Sequence, residues 1–473
     1  MNARTTFARR LALSLIRMLV LAAAPAGCDA PYQQFLGSIP TNEIDPDQPA
    51  DVFLGIDGLS RQAFDSARAR GAFAGYDAAD LVTTFPGTSD YAWTRTMRAG
   101  AIGGYELQYF DSERNAMQND GLEGLADHPL KEGIVGTLPC YARFDFLGNG
   151  DTWQVDSYLD PAAAFRPTLD AMFDTIAARA RTKLRVLAYL LNIDVMGHLG
   201  GLDQTVDMLV ELDRRIREFQ NGSRRKIRFT LFADHGNAHI PSRMVDPKQI
   251  LIDAGVTPID SIPATPTPGR LEAVPVVHTR VSYAAVHTAG RNDAEIAART
   301  STHPDVDLSV ARLPAAADGT ARYGVWRAGK GHSFRRDAAG TITVETPAAW
   351  GWLALDFTPW LDATTGAAVF ADRDAFEATR TGPYPDIFYR VATAFSDPAA
   401  KFPADVLLSM PDDVASFGFT VPGAGEIRAA AGFHGSLTRA ATLSVVASQA
   451  FNLPAAVRTD DLADMFPAMR GGN

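Results

Sequence analysis

The sequence predicts an α/β protein with a doubly wound, mostly parallel β-sheet flanked by helices and a smaller α+β cap insert. Three observations support this: three short apolar runs that each close on an acidic residue, amphipathic helical patterns between those runs, and a later stretch with the composition of strand, helix and hairpin. Alternation of strand and helix along a chain is typical of parallel sheets that are covered on both faces.

The three apolar runs are "DVFLGID", which closes at Asp57, "RVLAYLLNID", which closes at Asp194, and "IRFTLFADH", which contains Asp234. Each is predicted to be a buried parallel strand, and the segments at 169–176 and 206–219 have helical spacing. Ligands bind beyond the carboxyl ends of the strands in such sheets. Each aspartate could instead be the N-cap of the following helix, and taken singly the cap is the commoner role.

We expect the core to form from residues 51–240 and 401–473, with the cap insert at residues 241–400. The insert begins near the loop-like segment "DSIPATPTPGR" and continues with the patterns of a strand, a helix and a hairpin. The pattern of the core returns at "PADVLLSM" and again at "ATLSVVAS".

The first 28 residues have the features of an export signal, since arginines precede an apolar run at 11–24. The small residues directly before Cys28 resemble a bacterial lipoprotein signal, in which Cys28 becomes the lipidated first residue of the mature chain. An ordinary secretory signal is the alternative. The Pro-rich residues 29–50 are predicted to be a tether. We therefore expect a periplasmic or cell-envelope lipoprotein that contacts the membrane only through Cys28.

The net charge of −11 and the lack of a long basic run argue against a nucleic-acid polymer as partner. Removal of the signal would leave Cys140 as the only unmodified cysteine, so no intrachain disulfide is expected. Stability must then come from the core or from bound metal.

Candidate metal ligands cluster in three motifs. Asp194 and His198 stand four apart in "NIDVMGHLGG", at an expected strand end that runs into a Gly-flanked turn. Asp234 and His235 are adjacent in "FADHGNAH", and His434 lies between glycines in "GFHGSL". Carboxylate and imidazole groups can bind one cation together, although a lone histidine is more often structural.

The order of these motifs resembles the alkaline phosphatase superfamily, and most closely its type I phosphodiesterase and nucleotide pyrophosphatase branch. The matching motifs also include "GIDGLS" around Asp57, "TTFPGTSD" with Thr84, and the closing segment "VRTDDLADMF". The resemblance extends from about residue 51 to the end and implies an alkaline-phosphatase-like core.

The resemblance implies two zinc-like sites that share one pocket. The ligands are Asp194, His198 and His434 for one metal, and Asp57, Asp234 and His235 for the other, with the Thr84 oxygen beside it. Mixed carboxylate and imidazole donors suit zinc better than magnesium, while manganese and iron stay open.

The resemblance also implies that Thr84, which directly precedes Phe-Pro, attacks phosphorus and forms a phospho-threonine intermediate. Thr88 or Ser89 would then be the N-cap of the following helix. The branch usually has an asparagine that binds a phosphoryl oxygen, and Leu107 or Gln108 stands near that position here.

The implied function is a metal-dependent hydrolase of small phosphoric esters, with monoesterase and diesterase activity both open. The sulfatases of this superfamily need a proline two residues after the reactive cysteine or serine, and "CYAR" at Cys140 lacks it. The alternative from another class is a catalytically silent lipoprotein with the same fold that acts as a binding module.

Overall fold

The structure is a computed structural model that describes residues 47–118, 138–148, 153–278, 280–417, 431–466 and 469. The predicted signal at residues 1–28, with Cys28, and most of the predicted tether lie outside the described residues. Within the described ranges, no helix is both long and apolar enough to cross a membrane.

The strands follow one another in this order along the chain: β1 (Ala50–Ile56), β2 (Asp77–Val82), β3 (Tyr109–Asp111), β4 (Ala116–Gln118), β5 (Arg185–Leu190), β6 (Ile227–Phe232), β7 (Arg243–Val245), β8 (Thr257–Pro258), β9 (Glu272–Val276), β10 (Tyr283–His287), β11 (Leu308–Leu313), β12 (Ala321–Arg327), β13 (Lys330–Arg336), β14 (Thr341–Val344), β15 (Ala368–Ala371), β16 (Val406–Ser409), β17 (Val414–Ser416), β18 (Leu443–Ser448) and β19 (Ala456–Arg458).

The α-helices are α1 (Arg61–Ala69), α2 (Ser89–Met97), α3 (Trp153–Leu159), α4 (Pro161–Arg179), α5 (Asn192–Gly222), α6 (Pro247–Asp253), α7 (Asp293–Thr300), α8 (Asp372–Thr379), α9 (Ile387–Ser396), α10 (Arg439–Thr442) and α11 (Thr459–Met465). Short 3-10 helices occur at Tyr141–Arg143, Pro347–Leu353 and Thr358–Trp360.

The core sheet has six strands in the order β19-β2-β18-β6-β1-β5. Strand β1 lies between β5 and β6 and is parallel to both, so the three predicted strands form the centre of one sheet. Strand β18 runs antiparallel to β6 and β2, which makes the sheet mixed at that side. The expected α/β class, with a mostly parallel sheet between helices, is confirmed.

Both faces of this sheet are covered. Leu54 and Ile56 of β1 pack into the apolar cluster formed with α1, α4 and α5. Phe53 points to the other face and packs in a cluster with Trp93 of α2 and Phe232. Burial on both faces explains why β1 is apolar from Val52 to Ile56 rather than alternating.

The segment after β5 differs from the sequence expectation. Strand β5 ends at Leu190 and helix α5 begins at Asn192, so Asp194 and His198 lie in the first turns of a helix rather than in a turn. A spacing of four places both side chains on one helix face. The non-helical backbone comes later, at Gly201, where φ is 73° and ψ is −169°.

A second sheet of nine strands has the order β15-β14-β13-β12-β11-β16-β10-β9-β8. The expected strand, helix and hairpin of the insert are present as β10, α7 and the β12–β13 pair. Strand β16, from "PADVLLSM", pairs with β10 and β11 rather than with the core sheet. The strand from "ATLSVVAS" is β18 of the core sheet, as expected.

We expect Ile216→Ala to lower the free energy of unfolding by about 2–5 kcal/mol, because Ile216 is fully buried in the cluster beneath α5. Ile252→Ala is the matched control: Ile252 is also helical but 52% exposed, so its change should stay within about 0.5 kcal/mol. Urea unfolding measures both, and equal losses would contradict this packing.

Candidate metal centre

Six predicted ligands converge at the carboxyl edge of the three parallel strands. Asp57 follows β1, the pair Asp234 and His235 follows β6, and the helix after β5 supplies two more side chains. The sixth comes from the segment before α10. All six are buried, and they are Asp57, Asp194, His198, Asp234, His235 and His434.

The ligand atoms form two groups, and within each group they all lie within 4.8 Å of one another. One group is Asp57, Asp234 and His235, which is the second expected set. The other is Asp194, His235 and His434, so His235 belongs to both groups.

His198 was expected in the first set and lies beside it. Its Nε2 atom is 3.1 Å from Asp194 Oδ2, and its ring centroid is 5.1 Å from that of His434. The rings of His235 and His434 stack at 3.6 Å with an interplanar angle of 9°. The structure therefore brings all six predicted ligands together, with His235 rather than His198 completing the first group.

Backbone carbonyls orient the three imidazoles. The Nδ1 atoms of His198, His235 and His434 lie 2.8, 2.9 and 2.7 Å from the carbonyl oxygens of Gly432, Gly236 and Gly87. Because a carbonyl can only accept, each Nδ1 carries the proton, and each Nε2 is left to bind a proton or a cation.

The Nε2 atoms face carboxylates. His235 Nε2 is 3.1 Å from Asp57 Oδ1 and 3.5 Å from Asp234 Oδ2. A lone pair that faces a carboxylate oxygen at this distance is repulsive, so a proton or a cation must lie between them. Burial by itself would lower the pKa of His235, but the charges of Asp234 and Asp57 outweigh it and raise that pKa to about 10.

The carboxylates are also incompletely satisfied. Burial, and then the charge of Asp57, raises the pKa of Asp234 well above its ordinary value. Asp234 Oδ1 accepts from the backbone N–H groups of Gly58 and His235, but Asp234 Oδ2 and Asp194 Oδ1 have no hydrogen-bond partner among the described residues. Buried carboxylate oxygens without a partner fit bound cations.

Gly58 allows Asp57 and Asp194 to approach each other. Its φ is +64°, and a Cβ atom added there would lie 2.5 Å from Asp194 Oδ1. A larger residue would therefore displace a ligand as well as strain the backbone.

Thr84, in the turn before α2, and Ser89, the first residue of α2, have different surroundings. Thr84 is 3% exposed, and its Oγ1 donates to the Pro86 carbonyl at 2.9 Å. Ser89, the first residue of α2, is partly exposed, and its Oγ lies 3.3 Å from Asp57 Oδ1 and 3.2 Å from His235 Nε2. The hydroxyl that contacts the candidate ligands is that of Ser89. No contact in the described structure joins Thr84 Oγ1 to them.

The N-cap position of α2 is Thr88, one of the two expected residues. Its hydroxyl makes no capping bond and instead donates to the Tyr105 carbonyl at 2.6 Å. The first turn of α2 is therefore not capped by a side chain.

Arg390 of α9 is a buried cation that sequence reasoning missed. It is 2% exposed, and its NH2 group donates to the carbonyl oxygens of Thr84 at 3.0 Å and Ser436 at 3.3 Å. Its NH1 group donates to the carbonyl of Leu437 at 3.2 Å. Arg390 thus ties the turn before α2 to the segment that carries His434. Nothing in its local sequence signals this role, because all three partners are backbone atoms distant in the chain.

Beside the centre, Glu106 lies in the segment where the branch usually has its asparagine. One of its carboxylate oxygens is 3.6 Å from His278 Nδ1. Burial, and then the charge of Asp90, raises the pKa of Glu106 to about 8, while burial lowers the pKa of His278 to about 3. Both shifts favour the uncharged forms of these two side chains at neutral pH.

Comparison with known families gives one match: the model for type I phosphodiesterase / nucleotide pyrophosphatase matches residues 65–355, more than half of the chain. The matched range includes the turn before α2 and four of the six candidate ligands. Asp57 and His434 lie outside it. A comparison with curated proteins gives no match.

A comparison with solved structures matches murine ectonucleotide pyrophosphatase / phosphodiesterase 5, an inactive variant in complex with AMP. It is 10% identical, with a TM-score of 0.45, over 89% of this chain and 95% of that chain. Another match is phosphonoacetate hydrolase from Sinorhizobium meliloti 1021, in complex with phosphonoformate. It is 12% identical, with a TM-score of 0.43, and the match covers 91% of this chain and 98% of that chain.

We expect Glu106→Gln to flatten the pH dependence of stability in metal-free protein. The unfolded pKa of a glutamate is about 4.3, so from there to about pH 8 the folded wild type holds a proton that the unfolded chain has released. Wild-type stability should therefore fall with rising pH in this window, by at most about 1.4 kcal/mol per pH unit from this group. Urea unfolding between pH 5 and pH 8 measures the slope.

The control is Glu113→Gln, since the Glu113 side chain is 70% exposed and should leave the slope unchanged. Parallel curves for wild type and Glu106→Gln would contradict the raised pKa.

Proposed function

We propose, from the premise that this chain belongs to the type I phosphodiesterase / nucleotide pyrophosphatase family, that it hydrolyses small phosphoric esters at a centre of two divalent cations. The observation that carries the proposal is the convergence of three buried carboxylates and three buried imidazoles, with His198 Nε2 3.1 Å from Asp194 Oδ2 and His235 Nε2 3.1 Å from Asp57 Oδ1.

The donor set supports metal binding. Asp57, Asp234 and His235 would hold one cation, and Asp194, His198 and His434 would hold the other, with His235 close to both. Carboxylate and imidazole donors together favour zinc. When bound, two such cations would supply positive charge that favours an ionised hydroxyl and offsets the charge of the phosphoryl oxygens.

The chain itself contributes a hydroxyl and a helix N-terminus. Attack by a hydroxyl at the start of α2 or in the turn before it would divide hydrolysis into two steps. The phosphoryl group would first be transferred to the protein and then be released by water. Thr84 is the residue predicted from the sequence, and its reaction stays a prediction. The hydroxyl of the N-cap residue of α2 makes no capping bond, so the N–H groups of its first turn would be available to a phosphoryl oxygen.

We expect the purified protein to hydrolyse p-nitrophenyl phosphate or bis-p-nitrophenyl phosphate, and a chelator to abolish turnover until Zn²⁺ is restored. Asp234→Asn should lower turnover by more than about 100-fold, since loss of even an outer partner of a metal ligand costs 10–100-fold. The rates for the two esters separate monoesterase from diesterase activity.

The control variant is His303→Ala, because His303 pairs with Asp253 and belongs to neither ligand group. It should keep both metal content and turnover. Full metal loading without turnover of any phosphate or phosphonate ester would instead favour a binding module.

The N-terminal segment supports a location for this activity. We propose that residues 1–28 direct export and that the mature chain is anchored in the cell envelope by lipid on Cys28.

We expect Cys28→Ser to abolish incorporation of labelled palmitate and to move the protein from the membrane fraction to the soluble fraction of a bacterial host. Cys140→Ser is the matched control, since Cys140 is buried and should leave labelling intact. Labelling that persists without Cys28 would argue against the anchor.

A further inference from the structure

We propose that Ser89, and not Thr84, is the hydroxyl that attacks phosphorus, an inference that rests on the proposed phosphoric ester hydrolysis. The assignment depends on the surroundings of the two side chains and on their access to a substrate.

Ser89 lies among the groups that would activate it. Its Oγ is 3.3 Å from Asp57 Oδ1 and 3.2 Å from His235 Nε2, and both partners belong to one candidate metal group. A cation held by that group would lie next to the hydroxyl and lower the cost of its ionisation. The residue is also partly exposed, so a substrate can reach it.

Thr84 faces a different part of the molecule. Its hydroxyl donates to the Pro86 carbonyl, and its own carbonyl accepts from Arg390. It lines a small cavity together with Arg95, Tyr389 and Arg458, and none of the six candidate ligands lines that cavity. These contacts explain Thr84 as a structural residue that holds the turn in place.

The position of Ser89 in α2 supports the same reaction. It is the first helical residue, and the hydroxyl of the N-cap residue Thr88 is used elsewhere. An anion bound at Ser89 Oγ would therefore meet N–H groups that no side chain caps.

The reaction balances as two displacements. The Ser89 hydroxyl loses its proton to solvent, its Oγ forms a bond to phosphorus, and the bond from phosphorus to the leaving alcohol breaks as that oxygen takes a proton from water. A water molecule then attacks the phosphoserine, the Oγ–P bond breaks, and Ser89 regains a proton while phosphate or a phosphate monoester is released.

The first test needs no turnover. Metal-free Ser89→Cys and Thr84→Cys proteins are titrated with Co²⁺, and the absorption band of a thiolate bound to cobalt is recorded. We expect the band in Ser89→Cys and none in Thr84→Cys. A band in Thr84→Cys alone would overturn the proposal.

The second test follows the covalent step in zinc-loaded protein quenched with acid during turnover. Tandem mass spectrometry should locate the phosphoryl group on Ser89. Ser89→Ala should lower turnover by at least about 10³-fold, and Ser89→Thr should restore part of it. Thr84→Ala should cost less than about tenfold, the value of one neutral hydrogen bond.

Thermal unfolding of each variant shows whether a loss of turnover comes from a folding defect or from the missing hydroxyl. A phosphoryl group on Thr84, or full turnover in Ser89→Ala, would overturn the role of Ser89 and leave the proposed function standing. Absence of turnover in wild-type protein fully loaded with metal would contradict the proposed function instead. The cobalt titration would still show whether Ser89 lies next to the metal group.

Discussion

The burial of like charges at one sheet edge is the constraint on which the rest of the structure depends. Asp57 and Asp234 follow adjacent parallel strands, and both are almost completely inaccessible to solvent. Burial of two carboxylates side by side is costly unless positive charge accompanies them. The imidazole of His235 supplies one partner, and the carboxylate oxygens without hydrogen bonds leave room for cations. The described side chains supply too little positive charge to balance these carboxylates, so the pocket is suited to bind cations.

The second sheet supports the segment that presents His434. The backbone N–H of Ser282, just before β10, donates to the His434 carbonyl at 2.6 Å, and Ser409 of β16 accepts from the N–H of Leu437 at 2.9 Å. Arg390 adds its bonds from α9. The segment that presents His434 is thus held by residues that precede it in the chain by about 25 to 150 positions. The position of this one ligand therefore depends on two strands of the second sheet and on α9.

Thr84 and Ser89 show that a sequence motif and the spatial arrangement can single out different residues. Thr84 has the neighbours in sequence that the family resemblance implies, whereas Ser89 has the neighbours in space that the proposed chemistry would need. A short motif specifies only which residues are adjacent in the chain. The distance from a hydroxyl to Asp57 and His235 depends instead on where α2 begins relative to β1 and β6. The helical start at Ser89 places its side chain over the strand ends, while Thr84 is directed towards Arg390 and the cavity beside it.

The sequence by itself predicted the three central strands and the helices between them, because apolar periodicity is a local property. The order of its motifs, through a family resemblance, singled out the six candidate ligands. The tertiary structure alone decided that Asp194 and His198 lie on a helix, that β16 joins the second sheet, and that His235 belongs to both ligand groups. It also revealed Arg390 and Ser89. Apart from the start of that helix, each of these facts depends on pairing or approach between residues distant in the chain, and no local pattern of residues encodes such distances.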